Sequence, residues 1–165
     1  MTNNLSVSRS YVYIGVALLG GFFLQYLCAL KWNWLENWQT QNTYKIWSGF
    51  AIMLFILFQW YFPILIRIRR KSVEVAHHYM RHKQVGAFAP LVYYFHSTKP
   101  GYGLLFMLSS AYFTNSLLGV FSYDMIKDRR ERMRYSPYWL ASHIILAILT
   151  ITLMAYHIVI SFYYE

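Results

Sequence analysis

The sequence predicts an all-α integral membrane protein, a single bundle of five transmembrane helices spanning residues 1–165. Three observations carry this. Of the 165 residues, 58% are hydrophobic and 21% aromatic, while only 13% are charged, about half the charged share of an ordinary soluble domain. Five segments are long enough to cross about 30 Å of hydrocarbon. Basic residues fall largely on one side when those segments are threaded alternately through a bilayer. The composition excludes a disordered chain, a coiled coil and an ordinary soluble enzyme.

Residues 11–30 run for 20 residues without a charge and form the first span. Behind them come Lys31 and a Trp-rich stretch rather than a small-residue cleavage site, so the segment is read as retained. Residues 31–45 are expected as a polar loop in which Trp32, Trp34 and Trp38 suit the headgroup layer. The second span, 46–68, is closed by Arg67, Arg69, Arg70 and Lys71. The third, 73–96, is polar in its first half (Glu74, His77, His78, Arg81, His82, Lys83) and apolar in its second. It is expected as one helix with a wet entry, kinked at Pro90 and stopped by Ser97-Thr98-Lys99-Pro100-Gly101. Residues 102–122 form the fourth span, Asp124 to Arg134 a charged loop, and 138–162 the fifth span. No repeat period and no linker divides the chain, so it reads as one domain.

The net charge is +9, from 15 Lys+Arg against 6 Asp+Glu. In a soluble chain that excess would point to nucleic acid; here its placement points elsewhere. The N-terminus, the 67–83 connection and the 124–134 connection together hold 12 Lys and Arg, and the opposite side holds only Lys31, Lys45 and Lys99. Positive-inside sorting puts the N-terminus in the cytoplasm and the C-terminus outside, as in a bacterial plasma membrane. The expected partner is the lipid bilayer, with no nucleic acid. A single cysteine, Cys28, excludes an internal disulfide and any Cys-based zinc or iron–sulfur site within the chain.

Four of the six histidines form two pairs of equal spacing, His82 with His96 and His143 with His157, each fourteen positions apart. That interval turns a helix by about 1400°, returns to within about 40° of the same face, and rises by about 21 Å. The third and fifth spans run in the same direction, so His82 can face His143 at cytoplasmic depth and His96 can face His157 toward the outside. Paired neutral imidazoles at two levels are what two stacked b-type haems require as axial ligands. A lone membrane histidine is ordinarily a helix-bridging or cavity residue; two equal spacings on parallel helices are a more specific pattern. His78 is an alternative inner ligand, because it lies one turn before His82 and five full turns before His96. His77 and His78 otherwise read as a solvated helix entry.

Gly86 and Ala147, each one turn past an inner histidine, leave room for a flat macrocycle, and tight helix packing uses the same residues. Arg81 and Lys83 are candidate cations for the propionates of an inner haem, and Lys99 for those of an outer one. Positive-inside sorting and snorkelling account for them equally well. Gln59, Ser109, Ser110, Thr114, Asn115 and Ser116 read as interhelical glue. No carboxylate pair lies inside a span, which argues against a proton pump or cation transporter.

The stretch His82-Lys83-Gln84-Val85-Gly86, with His96 ten positions beyond its end, resembles the third-helix pattern of the ferric-reductase-like transmembrane domain. It is similar to the Arg-Lys-Gln-x-Gly form of the six-transmembrane epithelial metalloreductases; cytochrome b561-type proteins share the dihaem spacing. Relatives of that domain include NADPH oxidases and the membrane haem subunit of methionine sulfoxide reductase. The resemblance covers about half of the chain, 73–162. It implies haems held between this helix and the one two further on, which here carries His143 and His157. The chain departs from the pattern in having His82 at the head of the motif, an inner ligand where the single-haem metalloreductases have none. It also has no Gly-rich GxGxxG loop for a nicotinamide or flavin domain.

The expected function is therefore that of a dihaem b-type cytochrome, an electron-transfer subunit of a larger membrane redox complex. Its reductant would be another protein subunit or a quinol. The alternatives are a self-standing quinol-linked cytochrome b561-like carrier and, from another class, a haem-free accessory or assembly subunit whose histidines bridge helices.

Overall fold

A computed structural model describes residues 10–68 and 72–163, and every regular element among them is helical. α1 covers Ser10–Leu27, α2 Asn33–Thr40, α3 Asn42–Ile68, α4 Ser72–Gly86, α5 Ala89–His96, α6 Leu104–Val120 and α7 Arg129–Tyr163, with a 3-10 turn at Tyr123–Met125. Among the described residues four stretches are long and apolar enough to cross a membrane: Ser10–Leu27, Asn42–Leu65, Leu104–Met125 and Arg129–Tyr163. Large apolar side chains such as Leu24, Leu57, Ile64, Ile145 and Val159 face outward along these helices, an exterior suited to hydrocarbon rather than water. Of the basic residues counted above, Arg9, Arg69, Arg70 and Lys71 lie outside the described residues.

Three elements differ from the sequence-based expectation. The 31–45 stretch is not simply a loop, because α2 forms within it. Leu35 is 1% exposed on the inner face of α2, whereas Trp34 and Trp38 point outward. Rings of Trp32, Trp34, Trp38 and Tyr44 meet in sequence at 5.9 to 6.4 Å. The charged stretch from Arg129 to Arg134 forms the opening turns of α7, which runs for 35 residues and passes through Pro137.

The 73–96 segment is two helices rather than one kinked helix. Pro90 stands in the first turn of α5, so it has no N–H for the carbonyl four residues back, at Gly86, and its ring crowds that carbonyl. The helix therefore ends at Gly86. Phe88 N–H turns instead to the carbonyl of Val85 at 3.0 Å, and α5 restarts with Val92 N–H on Phe88 at 3.1 Å.

α4 and α5 nonetheless continue along one line beside α1, in the same direction. Lys83 Nζ reaches the Tyr11 hydroxyl at 3.5 Å, Ala87 lies against Gly15, and the Tyr93 and Phe22 rings meet at 5.6 Å. Two buried clusters stack along this line. Tyr11, Val12, Ala87 and Val120 fill one end; Phe22, Ile52, Ile56, Ala89, Tyr93, Tyr112, Phe113 and Met154 fill the middle and the other end. The Tyr112 hydroxyl is satisfied inside the second cluster by donating to the Ala89 carbonyl at 2.9 Å. α7 packs along α6 and the 3-10 turn, with few close backbone approaches to α3, α4 or α5.

Candidate functional site

The site is built where α4 and α5 look across at α7. The rings of His82 and His143 face each other with centroids 6.2 Å apart and planes at 82°. His82 lies beside the Gln59 backbone. His143 is held by Trp139, one turn earlier, whose ring stacks on it at 5.2 Å and 11°. Trp139 is itself fixed, because its indole N–H donates to the Leu118 carbonyl at 3.0 Å and the Phe121 carbonyl at 3.1 Å, closing the end of α6. Gly119 keeps that side open; a Cβ there would sit 3.6 Å from His143 Cε1. His143 faces the Asn115 backbone, and its Nδ1 is buried with no partner in hydrogen-bond geometry.

Of the two inner candidates, His82 is the ring that meets His143. The half-buried His78 has its ring 6.3 Å from that of His77. Gly86 abuts the side-chain amide of Gln59, where a Cβ would come within 3.8 Å of Oε1. Gln59 Oε1 and Nε2, Asn115 Oδ1 and Ser116 Oγ are buried without hydrogen-bond partners, so these groups do not act as glue. Ser109 does, donating to the Pro100 carbonyl at 2.8 Å.

The other two histidines lie toward the opposite end, His96 on α5 and His157 on α7. His96 lies within electrostatic reach of His157. Its Nδ1 is 3.0 Å from Ser48 Oγ, and Gly49 lets the ring rest on α3, since a Cβ there would be 3.4 Å from Cε1. His157 Nδ1 is 3.5 Å from Ser161 Oγ. The backbone at His96 is clamped from α2 and α3. Gln39 Nε2 donates to the carbonyls of Tyr94 (2.8 Å) and Phe95 (3.2 Å), Gln39 Oε1 accepts from Thr98, and the Tyr44 hydroxyl donates to Phe95 at 2.7 Å. Nothing in the sequence pointed to Gln39, Tyr44 or Ser48, since each partner lies far away along the chain.

The basic residues divide. Arg81 and Lys99 are exposed; the Lys99 carbonyl accepts from Tyr93 and Ser97 hydroxyls. Lys83 is engaged elsewhere, ion-paired with Asp124 at 2.5 Å and covered by the ring of Tyr79 at 4.3 Å.

Among the described residues no group of three or more His, Cys, Asp or Glu side chains converges; His82 and His143 meet as a pair. That donor set fits a metal that takes one imidazole from each side, as haem iron does. The centres of the His82 and His143 rings stand 6.2 Å apart, so one imidazole borders the gap from each side. Loose backbone packing between α7 and α4–α5 and glycines against the rings agree with a flat group between them.

Neither protein-family models, nor curated proteins, nor solved structures give a match to this chain. The fold and site define it as a protein all-helical among its described residues, with four membrane-length helices there and with His82 facing His143 from α4 to α7.

Proposed function

We propose that the chain is a dihaem b-type cytochrome, the transmembrane electron-transfer subunit of a larger redox complex. His82 and His143 hold the inner haem and His96 and His157 the outer one. The observation that carries this reading is the facing of His82 and His143 at 6.2 Å, repeated at the same interval along each side of the bundle by a second pair. Bound haem would supply one-electron chemistry at its iron. The chain's part is to orient the rings and exclude water. Trp139 sets the plane of His143, the Gln39 and Tyr44 clamp fixes the backbone at His96, and the aromatic cluster around Phe22 and Tyr93 keeps the space between the levels dry.

In this reading α4 and α5 make one crossing, giving five in all. Their contacts from Tyr11 at one end to Gln39 at the other support it. The 12 to 3 distribution of Lys and Arg then favours a cytoplasmic N-terminus and an extracytoplasmic C-terminus in a plasma membrane. Electrons enter from a partner subunit or a quinol.

A reduced-minus-oxidised spectrum of the purified chain, with haem quantified against protein, tests the proposal. The α-band of b-type haem at two equivalents per chain is expected. A chain without that band overturns the proposal and leaves the histidine pairs as bridges between helices.

A further inference from the structure

A hydroxyl on α3 reaches the ring of His96. We infer that Ser48 is a positioning residue that holds a proton on Nδ1 of His96 and so leaves Nε2 bare for an axial bond. The inference rests on the reading of His96 as a haem ligand.

Ser48 Oγ stands 3.3 Å from the carbonyl of Lys45, one turn earlier on α3, and 3.0 Å from His96 Nδ1. Both contacts are hydrogen bonds at once only if the single hydroxyl proton of Ser48 goes to the Lys45 carbonyl, which can only accept. The oxygen then presents a lone pair to Nδ1, which must carry the hydrogen of that contact. A neutral imidazole has one N–H, so Nε2 is the unprotonated nitrogen. The ring cannot swing away to exchange tautomers cheaply. It lies on the bare backbone of Gly49, and the carbonyls of Tyr94 and Phe95 just before it are tied by Gln39 and Tyr44. A second hydrogen bond on the far nitrogen orients a ligating imidazole and raises its basicity, and losing such a partner typically lowers metal affinity by about 10–100-fold.

The test is a redox titration of the purified full chain and of Ser48→Ala and Ser48→Thr, with the outer component assigned by its loss in His157→Ala. In Ser48→Ala the outer component shifts to higher potential, because the less basic ligand stabilises ferric iron less, and its haem is lost about 10–100-fold more readily. The inner component stays in place, and Ser48→Thr, which keeps the hydroxyl, behaves as the parent. An unmoved outer component in Ser48→Ala, or equal shifts in both components, overturns the role of Ser48 while leaving the cytochrome reading standing. A parent chain that binds no haem overturns the cytochrome reading instead. In that case 15N-histidine spectra of the chain decide the tautomer: a protonated Nδ1 on His96 that becomes a mixture in Ser48→Ala supports Ser48, and a protonated Nε2 in the parent overturns it.

Discussion

Lys83 and Asp124 form an ion pair of 2.5 Å that ties α4 to the 3-10 turn after α6, with the lysine side chain 3% exposed and the carboxylate 37%. Tyr11 Oη and the Tyr79 ring complete the cover over the ammonium, and Ser122 donates to the other carboxylate oxygen. Removing one partner of a buried pair strands the other charge. Because water reaches the carboxylate, Asp124→Ala is expected to cost about 1–3 kcal/mol rather than the roughly 3–5 kcal/mol of a fully enclosed pair. Thermal unfolding in detergent of Asp124→Ala, Lys83→Met and the double variant checks this; the double variant should lose less than the two singles added together.

Gly15 sits where α1 packs closely against the Val120 side chain of α6. A Cβ there would lie 2.5 Å from Val120 Cγ2, and a β-branched side chain has little freedom to rotate aside. Gly15→Ala should destabilise the chain by about 1–3 kcal/mol, and Val120→Ala in the same chain should recover part of the loss. Gly20→Ala, with nothing within 4 Å of the added carbon, is the control and should leave the melting temperature no lower.

The histidines give a stoichiometric test. His82→Ala and His143→Ala should each reduce bound haem from two equivalents to one and spare the same component. His96→Ala and His157→Ala should spare the other. His78→Ala should retain both, since it is His82 that meets His143. Loss of a haem in His78→Ala with both kept in His82→Ala would reverse the inner assignment.

Trp139 serves the site in two ways that substitution can separate. Trp139→Phe keeps a flat ring beside His143 and strands the carbonyls of Leu118 and Phe121; it should cost about 1 kcal/mol of stability with inner haem retained. Trp139→Ala removes a side chain that is 6% exposed and should cost about 3–5 kcal/mol, with inner haem lost preferentially. Melting curves followed by haem quantification distinguish the two.

The number of crossings can be read by labelling. In a Cys28→Ser background, Gln41→Cys and Lys99→Cys should react with a membrane-impermeant maleimide from the same side, as five crossings require. Labelling from opposite sides would mean that α4 and α5 do not cross.

The spans α1, α3, α6 and α7 were legible because long apolar runs leave few alternatives in composition. α2 was hidden because three indoles among polar residues read equally well as an interfacial loop, and only the burial of Leu35 makes the stretch a helix. The break after Gly86 was half legible. Pro90 announced a disturbance, but whether a helix bends or restarts depends on where the freed N–H groups find carbonyls. The meeting of His82 with His143 was visible from the spacing of the histidines. The partners that hold them were not, since Ser48, Gln39 and Tyr44 act across long stretches of chain, and the charges of Lys83 and Asp124 carry no sign of each other over 41 positions.

α7 passes unbroken from His143 to His157, whereas the chain between His82 and His96 has a joint at Ala87 and Phe88. On one side, then, the two rings ride on a common shaft, and any roll of that shaft turns both. On the other, each ring has its own mount. Substitutions in α5 can re-aim His96 and leave His82 undisturbed, which gives the His96 end a freedom of adjustment that α7 denies to both of its own rings.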